Sequence, residues 1–181
     1  MSLTPRHAAR ARAVALSLVV TALALATPAA HAAPDHIRVP GKIGLGLGSG
    51  TLANGLSAKW YLTDLHALQF NLGSFGGGGA DHRWHRVAGF AVSVDYLIEL
   101  PDIVTAGEAF VLGWNAGVGA GIGVADGHGD LAVAASGVVG LEFRIIPVPI
   151  DVVLEFRPGF LIVPDFDFDP VDFTAHIRYY F

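Results

Sequence analysis

The sequence predicts an all-β protein: an eight-stranded antiparallel up-and-down transmembrane β-barrel, preceded by a cleaved signal peptide. Three observations support this prediction: an export signal at the N-terminus, many segments in which apolar and polar residues alternate, and an aromatic C-terminal segment. Because successive side chains of a strand point to opposite faces of the sheet, such alternation indicates strands with one apolar face. No later apolar run approaches the roughly 20 residues that a membrane-spanning helix needs.

The N-terminus has the three parts of a secretory signal peptide. These parts are the basic residues Arg6, Arg10 and Arg12, the apolar run Ala13–Ala26 and the small-residue cleavage motif Ala30-His31-Ala32. We therefore expect residues 1–32 to be a signal peptide and residues 33–181 to form the outer-membrane β-barrel domain.

Composition and charge exclude several classes of protein. The 181 residues are 52% hydrophobic, with a mean hydropathy of +0.52 and no cysteine. Three of the 11 basic residues and none of the 16 acidic residues precede residue 33, so the exported chain carries 8 basic and 16 acidic side chains. A chain this acidic, without a basic run, is a poor nucleic-acid binder. The lack of cysteine excludes a disulfide scaffold.

Eight segments carry the alternation, and an even number of strands brings both ends of the barrel to one side. The segments are Ile43–Gly48, Leu56–Leu62, Leu68–Gly73, Phe90–Tyr96, Phe110–Val118, Val139–Ile146, Ile150–Arg157 and Phe173–Phe181. The connections between them include Thr63–His66, Gly76–Arg86, Glu99–Glu108, Asp126–Asp130, Pro147–Pro149 and Pro164–Asp172. Outer-membrane barrels keep short turns on the periplasmic side and longer loops outside, a pattern that these connections follow in part.

The polar faces of these segments supply the candidate site, a charge network inside the barrel. Its predicted members are Lys59, Asp95, Glu142, Arg144, Glu155, Arg157, His176 and Arg178. Side chains fill the interior of an eight-stranded barrel, and charges held there must pair. We expect acids and bases to lie side by side on the last three strands and to plug the lumen, although a gated ion path is the alternative.

Two polar loops contain candidate metal ligands, and the serines are the candidate nucleophiles. Imidazole and carboxylate groups that could bind a transition metal occur in two loops, as Asp81, His82 and His85 and as Asp126, His128 and Asp130. Their spacing does not define a metal shell, so solvated loops are expected, with no metal and no cofactor. No serine lies in a Gly-x-Ser-x-Gly motif, and we expect no enzymatic activity.

The C-terminal strand resembles the terminal signature of outer-membrane barrels, with apolar or aromatic residues at alternate positions up to the last residue. The residues that carry this resemblance are Phe173, Ile177, Tyr179 and Phe181. In size and strand count, residues 33–181 are similar to the OmpA/OmpX type, and the stretch from Gly140-Leu141-Glu142 to Arg178-Tyr179-Tyr180-Phe181 resembles small OmpA-like barrels. The resemblance implies a strand that is recognised by the barrel assembly machinery and a lumen with a charge network.

These observations favour a structural or surface-interaction protein of the bacterial outer membrane. Its expected partners are outer-membrane lipid and the barrel assembly machinery, with an extracellular ligand left open. The alternatives are a soluble, lipocalin-like ligand-binding barrel of the periplasm and a low-conductance channel. The membrane is favoured over the lipocalin-like barrel because bulky aromatics such as Trp60, Phe70 and Trp114 share the apolar faces, whereas charges and glycines share the others.

Overall fold

A computed structural model describes residues 36–75, 89–125 and 131–181, which form ten strands and no helix. The strands are β1 (Ile43–Ser49), β2 (Asn54–Tyr61), β3 (His66–Phe75), β4 (Gly89–Ala106), β5 (Phe110–Ala125), β6 (Leu131–Ile145), β7 (Ile150–Phe156), β8 (Gly159–Val163), β9 (Asp167–Asp169) and β10 (Phe173–Tyr180). The predicted signal peptide and both His/Asp loops lie outside the described residues.

The strands close into an eight-stranded antiparallel barrel. Neighbours pair in the order β5-β4-β3-β2-β1-β10-β7-β6, and pairing of β5 with β6 closes the circle. β8 follows β7 along the same edge of β6, and β9 pairs with β8 above the upper end of β10. β7 and β8 therefore share one strand position of the barrel, and β9 and β10 share another. The prediction of an all-β, eight-stranded antiparallel barrel is therefore confirmed. The upper end of the barrel is defined as the end with the β1–β2 turn, and the lower end as the end with Ile43 and Phe181.

The strand registers determine the inclination of the barrel strands. The register partners of Leu47, followed from strand to strand through β2, β3, β4 and β5, end at Val133 on β6. Followed in the other direction through β10 and β7, they end at Phe143 on the same strand. The two routes thus meet ten residues apart, which is the shear of the barrel. With about 3.3 Å per residue and about 4.8 Å between strands, this shear tilts the strands by about 40°.

Two predicted connections were wrong in their extent. The segment Glu99–Glu108 lies mostly in β4, which continues to Ala106 with a register shift between Leu100 and Val104. Pro101 lies in this irregular stretch, and a proline cannot donate to the sheet ladder, so the alternation is interrupted there although the strand goes on. The predicted loop Pro164–Asp172 contains β9, whose acidic residues obscured its alternation.

The barrel wall separates an apolar outer surface from a polar interior that is capped at both ends. At the lower end, Ile37, which precedes β1, packs with Tyr61, Ala67, Leu97 and Tyr180. At the upper end, Ala53, Ala91 and Ala132 pack together, with Leu52 and Leu161 against them. Polar side chains fill the lumen beside and between these two apolar groups. Across the part of the chain that the structure describes, no helix is long and apolar enough to span a membrane.

Candidate functional site

All eight side chains of the predicted network lie inside the barrel, and none is more than 2% exposed. Alternation along each strand explains this placement, since the neighbours of these residues in the sequence face outward. Further buried polar side chains come from the same faces, namely Tyr61, Gln69, Glu99, Asp151 and Tyr180. The lumen is thus lined by more ionisable and hydrogen-bonding groups than the sequence prediction included.

The lower cluster comprises three basic and three acidic side chains: Arg38, Lys59, Glu99, Asp102, Glu142 and Arg144. Lys59 Nζ lies 2.8 Å from Glu99 Oε1 and 2.7 Å from Glu142 Oε1. Arg144 contacts Glu142 Oε2 at 3.1 Å and also pairs with Asp102. Tyr61 donates its hydroxyl proton to Glu142 at 2.9 Å. Equal numbers of opposite charges in direct contact compensate for much of the cost of burying them.

Arg38 joins the lower cluster from the segment that precedes β1. Its guanidinium lies 3.0 Å from Glu99 Oε2 and 3.2 Å from Glu142 Oε2, and it also donates to the carbonyl oxygen of Leu100 at 2.7 Å. Ile37 beside it is 1% exposed within the lower apolar layer. The segment therefore enters the lower mouth of the barrel. Sequence reasoning missed Arg38 because it lies outside every alternating segment.

The upper cluster comprises Asp95, Glu155, Arg157 and His176. Arg157 donates to both carboxylate oxygens of Asp95, at 3.0 and 2.7 Å, and its Nε donates to Glu155 Oε2 at 2.8 Å. His176 Nε2 lies 2.9 Å from the same Glu155 oxygen. Asp95 lies on β4, which is three strands away from β7 around the barrel. Arg157 directly follows β7, so its side chain spans the lumen.

A third ion pair lies next to the upper cluster. Arg178 contacts Asp151 through Nε at 3.1 Å and through Nη2 at 2.8 Å, and Tyr180 donates to Asp151 at 2.7 Å. Arg178 also donates to Gln69 Oε1, while the amide nitrogen of Gln69 donates to Asp95 at 3.0 Å. Arg178 and Asp151 are therefore linked to the upper cluster through Gln69, and Tyr180 lies against the Tyr61 ring of the lower end.

The side-by-side pairing expected on the last three strands is correct only in part. Arg144 and Arg178 both lie opposite Asp151 in the register, but Glu142 and Glu155 do not face basic residues on neighbouring strands. Glu142 instead contacts Lys59 across the lumen, and Glu155 contacts Arg157 on its own wall. Long side chains in a narrow barrel reach partners that no cross-strand register identifies.

Inward-facing glycines make room for these side chains. A Cβ atom on Gly119 would lie 2.0 Å from Asp95 Oδ1, and one on Gly48 would lie 2.1 Å from His176 Nδ1. A methyl group at either position would displace a member of the upper cluster. These positions therefore require glycine for space inside the barrel.

The β1–β2 turn closes the upper end of the lumen. Thr51, 5% exposed, hydrogen-bonds to Ser136 on β6 at 2.7 Å and accepts a hydrogen bond from Arg157 at 3.3 Å. Leu52 has a φ of 69°, a left-handed conformation that is strained for a branched side chain, and it packs in the upper apolar layer. The turn is thus folded inward and contacts the opposite wall.

Ser57, His176 and Glu155 form a hydrogen-bonded chain in the order found in serine hydrolases. Ser57 Oγ lies 2.9 Å from His176 Nδ1. Because a carboxylate only accepts, the Nε2 atom beside Glu155 carries the proton of a neutral imidazole. Ser57 is 2% exposed, and Glu155 is already engaged by Arg157. This geometry supports packing of the lumen, with the hydroxyl buried among the described residues.

The four residues of the predicted assembly signal lie on the outer surface. Phe173, Ile177 and Tyr179 alternate along β10 with inward-facing Thr174, His176, Arg178 and Tyr180, and Phe181 follows at the lower end. The rings of Tyr179 and Phe181 meet edge to face, with 5.1 Å between centroids.

Comparison with family models, curated proteins and solved structures found no match to this chain.

Proposed function

We propose that this chain is a small outer-membrane β-barrel protein of the OmpA/OmpX type, with a structural or surface-interaction role and a lumen plugged by polar side chains. The observation that carries the proposal is the reversed polarity of the barrel. Ion-paired side chains fill the interior, whereas large apolar side chains cover the outside. Such a surface suits a hydrocarbon solvent, and a closed barrel leaves no unpaired strand edge within it.

The outer surface of the barrel wall supports a lipid environment. On β5, the outward residues include Trp114, Val118, Ile122 and Val124, all between 38% and 64% exposed. Along β1, β2, β3, β5, β6, β7 and β10, no outward position carries Asp, Glu, Lys or Arg. The span from Trp114 to Val124 covers about 25 Å along the barrel axis at about 3.3 Å per residue and about 40° of tilt, which matches the apolar band of outer-membrane barrels.

Aromatic side chains near the lower end support one membrane boundary. Trp60, Trp114, Phe143 and Tyr179 lie on the outer wall near the lower ends of β2, β5, β6 and β10. Aromatic girdles occur in transmembrane barrels where the hydrocarbon meets the headgroups. In the topology proposed here, the lower end with its three short turns faces the periplasm.

The interior argues against the lipocalin-like alternative. A ligand-binding barrel in water needs an open, mostly apolar cavity. Here Arg157 crosses the lumen to Asp95, Lys59 connects Glu99 to Glu142, and apolar side chains pack at each end. A low-conductance channel remains a second candidate for one specific reason: the lower mouth is closed by Arg38, which belongs to no barrel strand.

Fractionation of cell envelopes tests the location. We expect the protein in the outer membrane, with migration on gels that changes after heating, because closed barrels resist detergent unfolding. N-terminal sequencing of the purified protein should begin at Ala33. Recovery of the protein in the soluble periplasmic fraction would contradict the proposal.

Replacement of the last residue tests the assembly signal. Phe181→Asp should reduce the amount of folded barrel in the outer membrane while export continues, because the terminal strand would lose its apolar end. Phe166→Asp is the matched control, since Phe166 is 72% exposed but lies in the upper turn between β8 and β9. Equal, undiminished membrane levels of both variants would remove the assembly role of Phe181.

A further inference from the structure

The walls of the barrel differ about twofold in length. β1 and β2 have 7 and 8 residues, whereas β5 and β6 have 16 and 15. At about 3.3 Å per residue and about 40° of tilt, these lengths correspond to about 15–20 Å and about 35–40 Å along the barrel axis. The apolar outer surface is therefore lowest at β1–β2 and highest at β5–β6. The side formed by β1–β3 is called the short wall, and the side formed by β5–β6 the tall wall.

Most of the difference arises at the upper end. The register row from Leu47 on β1 reaches Ile122 on β5 after four strands, and it climbs about 3 Å toward the upper end per strand at this shear. Ile122 therefore lies about 12 Å above Leu47 and still faces outward, 47% exposed. The position level with Leu47 on the tall wall is close to Val139, which lies between Val133 and Phe143 on β6.

The short wall ends in polar residues at a height where the tall wall is still apolar. Ser49, Asn54 and Ser74 end the outward rows of β1, β2 and β3, and Asn54 donates to the carbonyl oxygen of Ser74 at 3.3 Å. On the tall wall, Val124 and Leu131 are apolar and exposed at still greater heights. The boundary between apolar and polar surface thus drops toward β1–β3.

The same short wall carries a groove on its outer face. The groove has a volume of about 660 Å³ and is lined by Leu45, Leu47, Leu56, Ala58, Phe70 and Leu72. All of these side chains belong to the outward rows of β1, β2 and β3. Its apolar lining is continuous with the surface that the proposed function assigns to lipid.

We propose that this barrel thins the bilayer locally against β1–β3, so that lipid headgroups descend to Ser49, Asn54 and Ser74 and an acyl chain occupies the groove. The inference rests on the proposed membrane location. A rigid tilt of the barrel cannot replace it, because tilting leaves the apolar length of each wall unchanged. The hydrocarbon layer beside a wall of about 15–20 Å must become thinner to meet the polar rim of that wall, since the usual apolar band is about 25 Å.

Spin-label depth measurement on the full chain in dioleoyl phosphatidylcholine vesicles tests this inference. The protein has no cysteine, so Leu47→Cys, Val139→Cys and Ile122→Cys each create one labelling site. Relative accessibility to oxygen and to a polar nickel chelate reports the depth of each label. We expect the Leu47 label to be shallower than the Val139 label, although both lie at the same height on the barrel.

A flat bilayer of uniform thickness gives a different order. There, the Leu47 and Val139 labels would be equally deep and the Ile122 label the shallowest, and this result would overturn the inference while leaving the barrel in the membrane. Dipolar broadening between Leu47 labels would show that a second copy covers the short wall and would also overturn it. Full access of the chelate to all three labels would instead refute the membrane location. In thinner dilauroyl phosphatidylcholine bilayers, the difference between Leu47 and Val139 should shrink.

Discussion

The two charge clusters of the lumen both pair carboxylates with arginine but depend on different parts of the chain. In the upper cluster, Asp95 and Glu155 belong to barrel strands and Arg157 directly follows β7, so closure of the wall brings them together. In the lower cluster, Arg38 comes from outside the sheet and must enter the mouth separately. The upper cluster is therefore part of the folded wall, whereas the lower cluster also depends on docking of a segment.

The largest expected effect follows from Arg157→Ala in the upper cluster. The change leaves Asp95 and Glu155 buried without the cation that contacts both of them. An uncompensated buried charge costs about 3–5 kcal/mol, so the free energy of unfolding should fall by about that amount. Urea unfolding of the barrel in vesicles, followed by tryptophan fluorescence, measures it. Glu108→Gln, in the exposed lower turn, is the control, and a loss as small as that of the control would mean that the upper cluster contributes little.

Glu155→Ala should have a smaller effect in the same cluster. Arg157 keeps both of its hydrogen bonds to Asp95, while His176 and Thr174 lose their contact with the carboxylate. Loss of hydrogen bonds to a charged group typically costs about 1.5–3 kcal/mol. The same unfolding experiment should therefore place this variant between wild type and Arg157→Ala. A larger loss than for Arg157→Ala would reverse the order of importance assigned here.

The same division explains how much the sequence could predict. Alternation identifies the inward face of each strand, and this alone predicts the burial of Asp95, Glu155 and His176. Asp151 and Gln69 lie on faces that the pattern also marks as polar, and counting every polar residue on those faces would have found them. The partners across the lumen are not predictable this way, because contacts such as Lys59 to Glu142 depend on shear and on side-chain length.

The lower end was predicted less well for local reasons. Glu99 was assigned to a connection because alternation stops near Pro101, although the strand continues to Ala106. Arg38 follows no periodic pattern, and nothing in the local sequence marks it as a lumen residue. Residues that join a barrel from outside its strands require the three-dimensional structure for their identification.

Arg38→Ala tests the lower cluster and should act on permeability more than on stability. Glu99 and Glu142 both keep Lys59, so we expect a loss of about 1–2 kcal/mol in the free energy of unfolding. The mouth that the guanidinium crosses should open more often, and planar-bilayer recordings should show more frequent conducting events than in wild type. Lys42→Ala, in the same segment, is the control. Unchanged conductance would show that Arg38 does not close the mouth, and large steady currents in wild type would refute the plugged lumen.

The smallest expected effect is that of Ser57→Ala, which removes one neutral hydrogen bond at the edge of the upper cluster. Ser57 contacts His176 Nδ1, while the link from His176 to Glu155 is left intact. A single hydrogen bond contributes about 1 kcal/mol, and the imidazole can keep its position because Glu155 and Gly48 still confine it. Ser74→Ala on the upper rim is the matched control, since its hydroxyl is exposed and its contact with Asn54 is long, at 3.5 Å.

Ester hydrolysis, measured with a short-chain p-nitrophenyl ester, should be equally absent in wild type and both variants. Hydrolysis that disappears only in Ser57→Ala would show that the Ser57–His176–Glu155 chain reacts with substrate, and the interior would then be a catalytic site rather than a packed core.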